Sequence, residues 1–356
     1  MIPVSQPFLP PMEEYNSLIS SLWETKWLTN NGVYVQELEQ KLKEYLEVPS
    51  FHFVSNGTIA LQLALKALGI KGEVITTPFS FVATTTTIIW ENCEPVFVDI
   101  DPQTLCIDAN KIEDAITEKT EAILATHVYG IPCDVEKIES TAEKHGLKVI
   151  YDAAHAFGVQ FKGKSLLEYG DISTLSFHAT KLYHTVEGGG IINNKGSDTE
   201  KQIKLLRSFG FEGDNYQIPG INGKNSEFHA AMGLCNLKYI DPILEKRKKL
   251  TRKYDELLNT SVVRPIIPEN VKYNYAYYPV VFKTEQHLMY IKGKLEEHGI
   301  LARRYFFPSI NKIKYLNGVY SCPISEDISA RVLCLPLYYD LCIKDIETIC
   351  KLINEN

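Results

Sequence analysis

Short apolar segments alternate with longer amphipathic segments over the first 240 residues of the chain. A short apolar run bounded by polar or turn-forming residues is typical of a buried strand, and the segments between such runs have the period of a helix. The strands predicted in this way are 51–54, 73–77, 95–100, 122–126, 147–151, 172–176 and 190–193. Two helices stand out: 59–68 is apolar nearly all round, and 134–144 has Asp134 as its N-cap and Gly146 at its end.

Strands that alternate with helices predict an α/β fold, with a mostly parallel central sheet and helices on both of its faces. Ligands of such sheets bind beyond the carboxyl ends of the strands. The conspicuous polar segments follow the predicted strands at that edge, namely 56–58, 79–81, Asp152 and Ser176. Their common position predicts one shared site.

The pattern changes near residue 240. Two helices, 227–237 and 242–258, precede a region in which both kinds of element occur. Its predicted elements are a long strand at 273–282, a helix at 286–298, a strand at 300–304 and a helix at 344–353. We therefore predict a large domain at 1–240, which includes the polar N-terminal segment, and a smaller α+β domain at 241–356.

Composition narrows the class of protein. The chain has 356 residues, of which 45% are apolar and 23% charged, as in ordinary globular proteins. A net charge of −7 without a basic patch argues against a nucleic-acid partner. No apolar run approaches the roughly 18 residues of a membrane span, and the N-terminus has no secretory signal pattern. The eight cysteines have no metal-binding spacing, which favours reduced thiols and the cytoplasm, and no metal is expected.

Lys181 and Asp152 carry the strongest chemical signal. Lys181 follows the predicted strand 172–176 and precedes three consecutive glycines at 188–190, while Asp152 follows the strand 147–151. A lysine at such a place can form a Schiff base with a carbonyl, and a carboxylate at a strand end can pair with a pyridinium nitrogen. Alone, each has a more common explanation, a surface lysine or a helix N-cap. Together they are the two protein groups that pyridoxal phosphate (PLP) requires.

Further residues fit the same cofactor. Gly57 and Thr58 begin a buried helix, whose free N–H groups and dipole favour a phosphate, although a capped turn explains them equally well. Phe81 is the candidate for stacking on the pyridine face, and Phe79 is its rival. His155 is a candidate donor to the phenolic oxygen of the cofactor, unless it is a core histidine.

Seven segments, in this order and spacing, resemble the DegT/DnrJ family of sugar-nucleotide aminotransferases. They are SNGT (55–58), TPFSFVAT (77–84), PVFVDID (95–101), VYG (128–130), DAAH (152–155), SFHATK (176–181) and GIN (220–222). The resemblance runs from about Pro3 to the C-terminus. It implies the fold of a fold type I PLP-dependent transferase, like that of aspartate aminotransferase, and a homodimer with active sites shared between the subunits.

The resemblance also implies a role for each residue by position. Lys181 is the lysine that binds the cofactor covalently, Asp152 contacts the pyridine nitrogen and Phe81 stacks on the ring. The phosphate is expected to contact Gly57, Thr58 and Ser176 and, across the dimer, Asn222. His155 stands where many members have glutamine, and Lys224 stands where many have arginine, so that any bidentate contact there is lost.

Within the family, segments 7–11 and 27–32 are most similar to the VioA-type branch, which makes dTDP-4-amino-4,6-dideoxyglucose. This similarity implies ping-pong transfer of an amino group from L-glutamate to a dTDP-4-keto-6-deoxyhexose. Thr29, Asn30 and Tyr305 are the candidates for contacting the sugar or the nucleotide. The sequence leaves open amination at C3 of a 3-keto sugar, the stereochemistry of the product, and UDP in place of dTDP.

Two rival functions share the same scaffold. One is a PLP-dependent sugar dehydratase. One dehydratase branch has histidine in place of Lys181, and another holds an iron–sulfur cluster that the scattered cysteines do not suit. The other rival is a non-catalytic regulator, which would not need Lys181, Asp152 and the phosphate-binding residues together. The sequence therefore favours an aminotransferase.

Overall fold

The computed structural model of the protein describes residues 1–316 and 320–355. The helices are α1 (Met12–Thr25), α2 (Val33–Tyr45), α3 (Gly57–Ala67), α4 (Val82–Trp90), α5 (Val135–His145), α6 (Ser197–Leu206), α7 (Glu227–Leu237), α8 (Ile240–Leu257), α9 (Glu285–Glu297), α10 (Pro323–Arg331) and α11 (Ile343–Asn354). The strands are β1 (Ile2–Pro3), β2 (His52–Val54), β3 (Glu73–Thr76), β4 (Glu94–Phe97), β5 (Thr120–Thr126), β6 (Lys148–Asp152), β7 (Gln160–Phe161), β8 (Lys164–Ser165), β9 (Ile172–Ser176), β10 (Gly189–Asn193), β11 (Phe211–Glu212), β12 (Asn215–Tyr216), β13 (Val262–Val263), β14 (Val271–Lys272), β15 (Tyr278–Phe282), β16 (Ile300–Leu301) and β17 (Val332–Leu335).

Seven of these strands form the central sheet, in the order β2-β10-β9-β6-β5-β3-β4. The neighbours β4, β3, β5, β6 and β9 are parallel, and β10 is antiparallel to both β9 and β2. Strand β2 therefore runs in the same direction as β9. The prediction of a mostly parallel sheet is confirmed, and the carboxyl ends of β2, β3, β5, β6 and β9 meet at one edge.

Helices cover both faces of this sheet, because its strands bury apolar side chains on both sides. In β5, Ile123 and Ala125 belong to the core that packs under α2, α5 and α7. Ala122 and Leu124, on the alternate face, belong to the core under α3, α4 and α6. Such two-sided burial is what a parallel sheet requires, and the predicted α/β architecture is confirmed.

A third apolar core lies in the C-terminal part of the chain. Helices α8, α9 and α11 pack there against the three-stranded sheet β13-β15-β17. Its buried side chains include Tyr254 of α8, Ile291 of α9 and Ile349 of α11. Strand β1 pairs in parallel with β16, so the first residues of the chain pack with this C-terminal part.

Several predicted elements differ in length from those in the structure. The strand predicted at 273–282 begins only at Tyr278, because Tyr275 adopts a left-handed φ of 53° that interrupts an extended chain. The strand predicted at 300–304 ends at Leu301, after which Arg303 keeps a single bridge to Cys334. The strand predicted at 95–100 ends at Phe97.

The N-terminal segment, which the sequence indicates only as polar, contains α1 and α2. Local signals for α2 are weak, since its N-cap is Gly32 and has no side chain to cap the helix. Its first turn is capped instead by the buried carboxylate of Glu227, which accepts a hydrogen bond from the Tyr34 N–H at 2.7 Å. A local sequence pattern cannot predict this cap, because Glu227 lies 193 positions away from Tyr34.

In residues 1–316 and 320–355 no helix has the length and apolar character to cross a membrane. The same residues contain no cluster of histidine, cysteine and acidic side chains that could hold a metal ion. All eight cysteines are free thiols, and only Cys342 is exposed.

Candidate active site

A cavity of about 300 Å³ opens at the carboxyl edge of the central sheet. The residues singled out in the sequence that line it are Gly57, Thr58, Phe81, Asp152, His155, Ser176, Lys181 and Tyr305. Thr29 and Asn30 lie outside it, on the exposed loop between α1 and α2. Asn222 also lies outside it, exposed, where it forms an isolated bridge with Ser208. The fold thus brings together groups from distant parts of the chain.

Lys181 lies five residues beyond the end of β9, and its side chain reaches into the cavity. Its Nζ donates a hydrogen bond to the hydroxyl of Tyr277 at 3.5 Å. Burial lowers the pKa of the amine from 10.5 to about 8; the carboxylate of Asp152 opposes this shift, and the positive charge of Arg303 adds to it. At pH 7 a pKa of 8 leaves about 10% of the amine neutral. This neutral amine is the form that reacts with carbonyl compounds.

The lowered pKa of Lys181 predicts how its reactivity depends on pH. In cofactor-free protein, the neutral fraction of the amine should rise through a midpoint near pH 8 rather than 10.5. In Asp152→Asn the midpoint should fall further, because the lost carboxylate stabilises the ammonium form. Labelling with acetic anhydride at pH 6 to 11, followed by peptide mass spectrometry, measures this midpoint, with the exposed Lys137 as internal standard. A midpoint near 10.5 for Lys181 would contradict its burial.

Asp152 ends β6 and is buried at the floor of the cavity. Its Oδ2 accepts a hydrogen bond from the hydroxyl of Thr84 at 2.7 Å, and its Oδ1 accepts one from the N–H of Ala154 at 3.1 Å. These two bonds fix the orientation of the carboxylate. Since a buried negative charge is unfavourable without a positive partner, the carboxylate is suited to a cationic group in the cavity.

His155 is held as a neutral hydrogen-bond donor. Its Nδ1 accepts the backbone N–H of Tyr129 at 3.1 Å, which leaves the proton of the neutral ring on Nε2. Burial, and then the charge of Lys181, lower its pKa well below 6.5. The ring lies nearly parallel to that of Tyr129. His155 can therefore donate to an anionic oxygen bound in the cavity.

The two candidate stacking residues have different environments. Phe81 lines the cavity and is 56% exposed, directly before α4. Phe79 is 0% exposed and packs edge-on against Tyr129 and Phe306. Only Phe81 has a free ring face toward the cavity, which is what stacking on a planar ligand requires.

The start of α3 forms a cradle for an anion. Asn56 caps this helix, since its Oδ1 accepts the N–H of Ile59 at 2.9 Å. The N–H groups of Gly57 and Thr58 in the first turn have no partner within the helix. A Cβ at Gly57 would lie 2.9 Å from the Cβ of Ser176, so only glycine leaves the space that this approach needs. Such a helix start is a favourable site for phosphate.

Tyr277, the last residue of the segment 273–277 that precedes β15, forms part of the cavity wall. Tyr277 lies between Lys181 and His155, with its ring 4.4 Å from the imidazole. Burial raises its pKa, so its hydroxyl stays protonated. The segment is anchored by Asn274, whose amide donates to the carbonyls of His155 and Phe157 at 2.8 and 3.0 Å. Thr84 ends the family motif 77–84, but the motif implies no role for it, and no local sequence pattern indicates Tyr277 as functional.

The profile of the DegT/DnrJ/EryC1/StrS aminotransferase family matches residues 12–354, and the chain belongs to this family. It is 44% identical to the dTDP-4-amino-4,6-dideoxy-D-glucose transaminase of Shigella dysenteriae, over 99% of this chain and 98% of that protein. The family assignment made from the sequence motifs is confirmed. The protein is therefore an aminotransferase of this family.

Solved structures agree with this assignment. The fold matches the crystal structure of DesI with its TDP-sugar product at a TM-score of 0.94 and 29% identity, covering 99% of this chain and 92% of that one. It also matches the PLP form of the putative sugar aminotransferase Spr1654 from Streptococcus pneumoniae at a TM-score of 0.91 and 25% identity, covering 99% and 98%. The α/β architecture of fold type I sugar aminotransferases is thus confirmed.

Proposed function

We propose that the protein uses PLP to transfer an amino group from L-glutamate to a dTDP-4-keto-6-deoxyhexose, giving dTDP-4-amino-4,6-dideoxyglucose. The observation that carries this proposal is the amine of Lys181, half-buried in one cavity with the fixed carboxylate of Asp152. The choice of substrate is supported by the 44% identity with a transaminase named for that product.

The cavity residues fit PLP. The cradle of Gly57, Thr58 and Ser176 suits the phosphate, Phe81 offers a free ring face, and Asp152 is a counter-charge for a protonated ring nitrogen. His155 offers its Nε2 proton to the phenolic oxygen. When bound, PLP supplies an aldehyde that combines with amines and a ring that withdraws electrons from the adjacent C–H bond.

The residues of the chain then have defined tasks. Lys181, with its lowered pKa, accepts at Nζ the proton that the donor carbon loses, and it returns that proton to the neighbouring carbon. The hydroxyl of Tyr277 keeps Nζ in place during both transfers. Asp152 holds a proton on the ring nitrogen, because its charge stabilises the cationic form. The amino donor and the sugar would use this one site in turn, as ping-pong transfer requires.

We further propose a homodimer in which Asn222 completes the phosphate site of the partner subunit. Large apolar side chains around Asn222 are exposed in the single chain, with Phe211 at 46%, Tyr216 at 72% and Ile221 at 41%. A cluster of this kind supports a protein interface. Tyr305 at the cavity remains our candidate for the sugar, and Thr29 and Asn30 are our candidates for the nucleotide. A cytoplasmic location is part of the proposal, supported by the eight free thiols.

The division into domains 1–240 and 241–356 also belongs to the proposal. A separate apolar core built from α8, α9 and α11 supports it. The pairing of β1 with β16 means that the first residues would pack on the smaller domain although they precede the larger one.

The decisive experiment is incubation of the PLP-loaded protein with L-glutamate and either the 3-keto or the 4-keto dTDP-6-deoxyhexose. We expect the 4-keto sugar to be converted, with 2-oxoglutarate as co-product, and NMR of the product to show an equatorial amino group at C4. Amination of only the 3-keto sugar, or loss of a hydroxyl group without amination, would refute the proposal in favour of a 3-aminotransferase or a dehydratase.

A further inference from the structure

Two adjacent arginines, Arg303 and Arg304, have opposite environments. Arg304 has an anionic partner, since its Nη2 donates to Glu285 and to the carbonyl of Ala330, both at 2.7 Å. Arg303 lines the active-site cavity, and its guanidinium lies 4.8 Å above the ring of Tyr305. In the described ranges 1–316 and 320–355, no carboxylate lies within ion-pair distance of Arg303. The cavity therefore contains a guanidinium without an anionic partner.

The position of Arg303 is fixed by its backbone. Its N–H and C=O exchange hydrogen bonds of 3.1 and 2.9 Å with buried Cys334. In an extended segment, successive side chains point to opposite sides, so this bridge directs Arg303 into the cavity and Arg304 away from it. Contact with the ring of Tyr305 restrains the guanidinium further. A restrained arginine loses little conformational entropy when it binds a ligand.

Neither of the two carboxylates that line the cavity forms an ion pair with Arg303. Asp152 accepts hydrogen bonds from Thr84 and Ala154, and Glu187 lies 3.6 Å from the imidazole of His178. An unpaired guanidinium in such a cleft is suited to a planar carboxylate, which it can bind through two parallel hydrogen bonds. Both substrates of the proposed reaction are anionic, the amino donor through its carboxylates and the sugar nucleotide through its diphosphate.

We propose that Arg303 binds the α-carboxylate of the amino donor and of the keto acid formed from it; this inference rests on the proposed function. The position of Arg303 beside Lys181 favours the donor. The α-carboxylate is attached to the carbon whose proton Lys181 removes, whereas the diphosphate is attached to C1 of the sugar, across the ring from the reacting C4. Within the same chain, Lys224 is not placed for this task, because its Nζ lies over the ring of Phe209, outside this cavity.

The test compares Arg303→Gln with Arg304→Gln, the same chemical change at the next position. Each half of the reaction is followed separately, with L-glutamate or 2-oxoglutarate in one arm and the dTDP-4-keto sugar in the other. For Arg303→Gln we expect the half-saturating concentrations of L-glutamate and 2-oxoglutarate to rise about 10- to 100-fold, as for loss of a charge-assisted pair. The half-saturating concentration of the sugar nucleotide should change less than about threefold, because the sugar nucleotide loses no charge-assisted hydrogen bond. Arg304→Gln should leave both arms unchanged.

Arg303→Lys keeps the charge but loses the planar fork, so its loss for L-glutamate should lie between those of wild type and Arg303→Gln. If Arg303→Gln folds poorly, Arg303→Lys provides the comparison with the wild type instead. A loss confined to the sugar nucleotide would assign Arg303 to the diphosphate and overturn the inference, as would no loss in either arm. If L-glutamate is not the amino donor, the same measurement is repeated with the α-amino acid that does serve as donor. This is a valid substitute because every α-amino acid carries an α-carboxylate. A wild-type protein that accepts no α-amino acid refutes the proposed function itself.

Discussion

The variant Lys181→Ala is expected to transfer amino groups at least about 10⁴-fold more slowly than the wild type. The substitution removes the one lysine that lines the described part of the cavity, whose amine has a pKa lowered to about 8 and donates a hydrogen bond to Tyr277. Covalent attachment of the cofactor and proton transfer at Nζ are lost together. The rate of the first half of the reaction in a single turnover measures this effect.

The control for this experiment is Lys137→Ala, which removes an exposed lysine of α5 and should keep the wild-type rate. Methylamine added to Lys181→Ala should restore part of the rate, because the truncated side chain leaves room for a small amine. Turnover within about tenfold of the wild type would show that another group moves the proton, and it would refute the assigned role.

The variant Asp152→Asn is expected to lower the rate of both halves of the reaction by about 10²- to 10³-fold, equivalent to two or more pKa units of lost stabilisation at the ring nitrogen. Asparagine has nearly the same shape. Its carbonyl can still accept the Ala154 N–H, and its amide can donate to the hydroxyl of Thr84. The loss should therefore arise from charge rather than from misfolding. Thermal unfolding of both proteins tests this distinction.

Thr84→Val is the matched control for Asp152→Asn. It removes one hydrogen bond to the carboxylate but keeps the charge, so we expect a loss of about 10-fold or less, in line with one hydrogen bond to a charged group. If Thr84→Val were as damaging as Asp152→Asn, orientation rather than charge would be the main contribution of Asp152. An Asp152→Asn variant with wild-type rates would rule out a counter-charge for the ring.

The part of the site that lies directly at strand ends could be predicted from the sequence. Asp152 ends β6, Ser176 ends β9 and Gly57 begins α3, so parallel pairing alone brings these residues to one edge. Thr84 and Tyr277 could not be predicted. They reach the site through contacts across 68 and 96 positions, and such contacts depend on how whole elements pack.

The prediction of a strand at 273–277 is wrong for a similar reason, because strand formation also depends on distant parts of the chain. Tyrosines at 273, 275 and 277 have the period of a strand, but no strand within residues 1–316 and 320–355 pairs with this segment. The side chain of Asn274 supplies hydrogen bonds in place of a backbone ladder. An asparagine amide can donate to carbonyl groups in this way only where other parts of the chain place those groups nearby. The sequence around Asn274 does not show where those parts lie.

The anchoring of residues 273–277 has a consequence for how molecules enter and leave. Asn274 and the hydroxyl of Tyr273, which donates to the carbonyl of Tyr129 at 2.7 Å, fasten this segment to loops of the central sheet. Lifting it would strip three carbonyl groups of their donors, at roughly 1–3 kcal/mol for each one left buried. The segment is thus a fixed part of the cavity and does not open to admit ligands. Donor, sugar and product are therefore expected to enter and leave past other residues that line the cavity, such as the exposed Phe81.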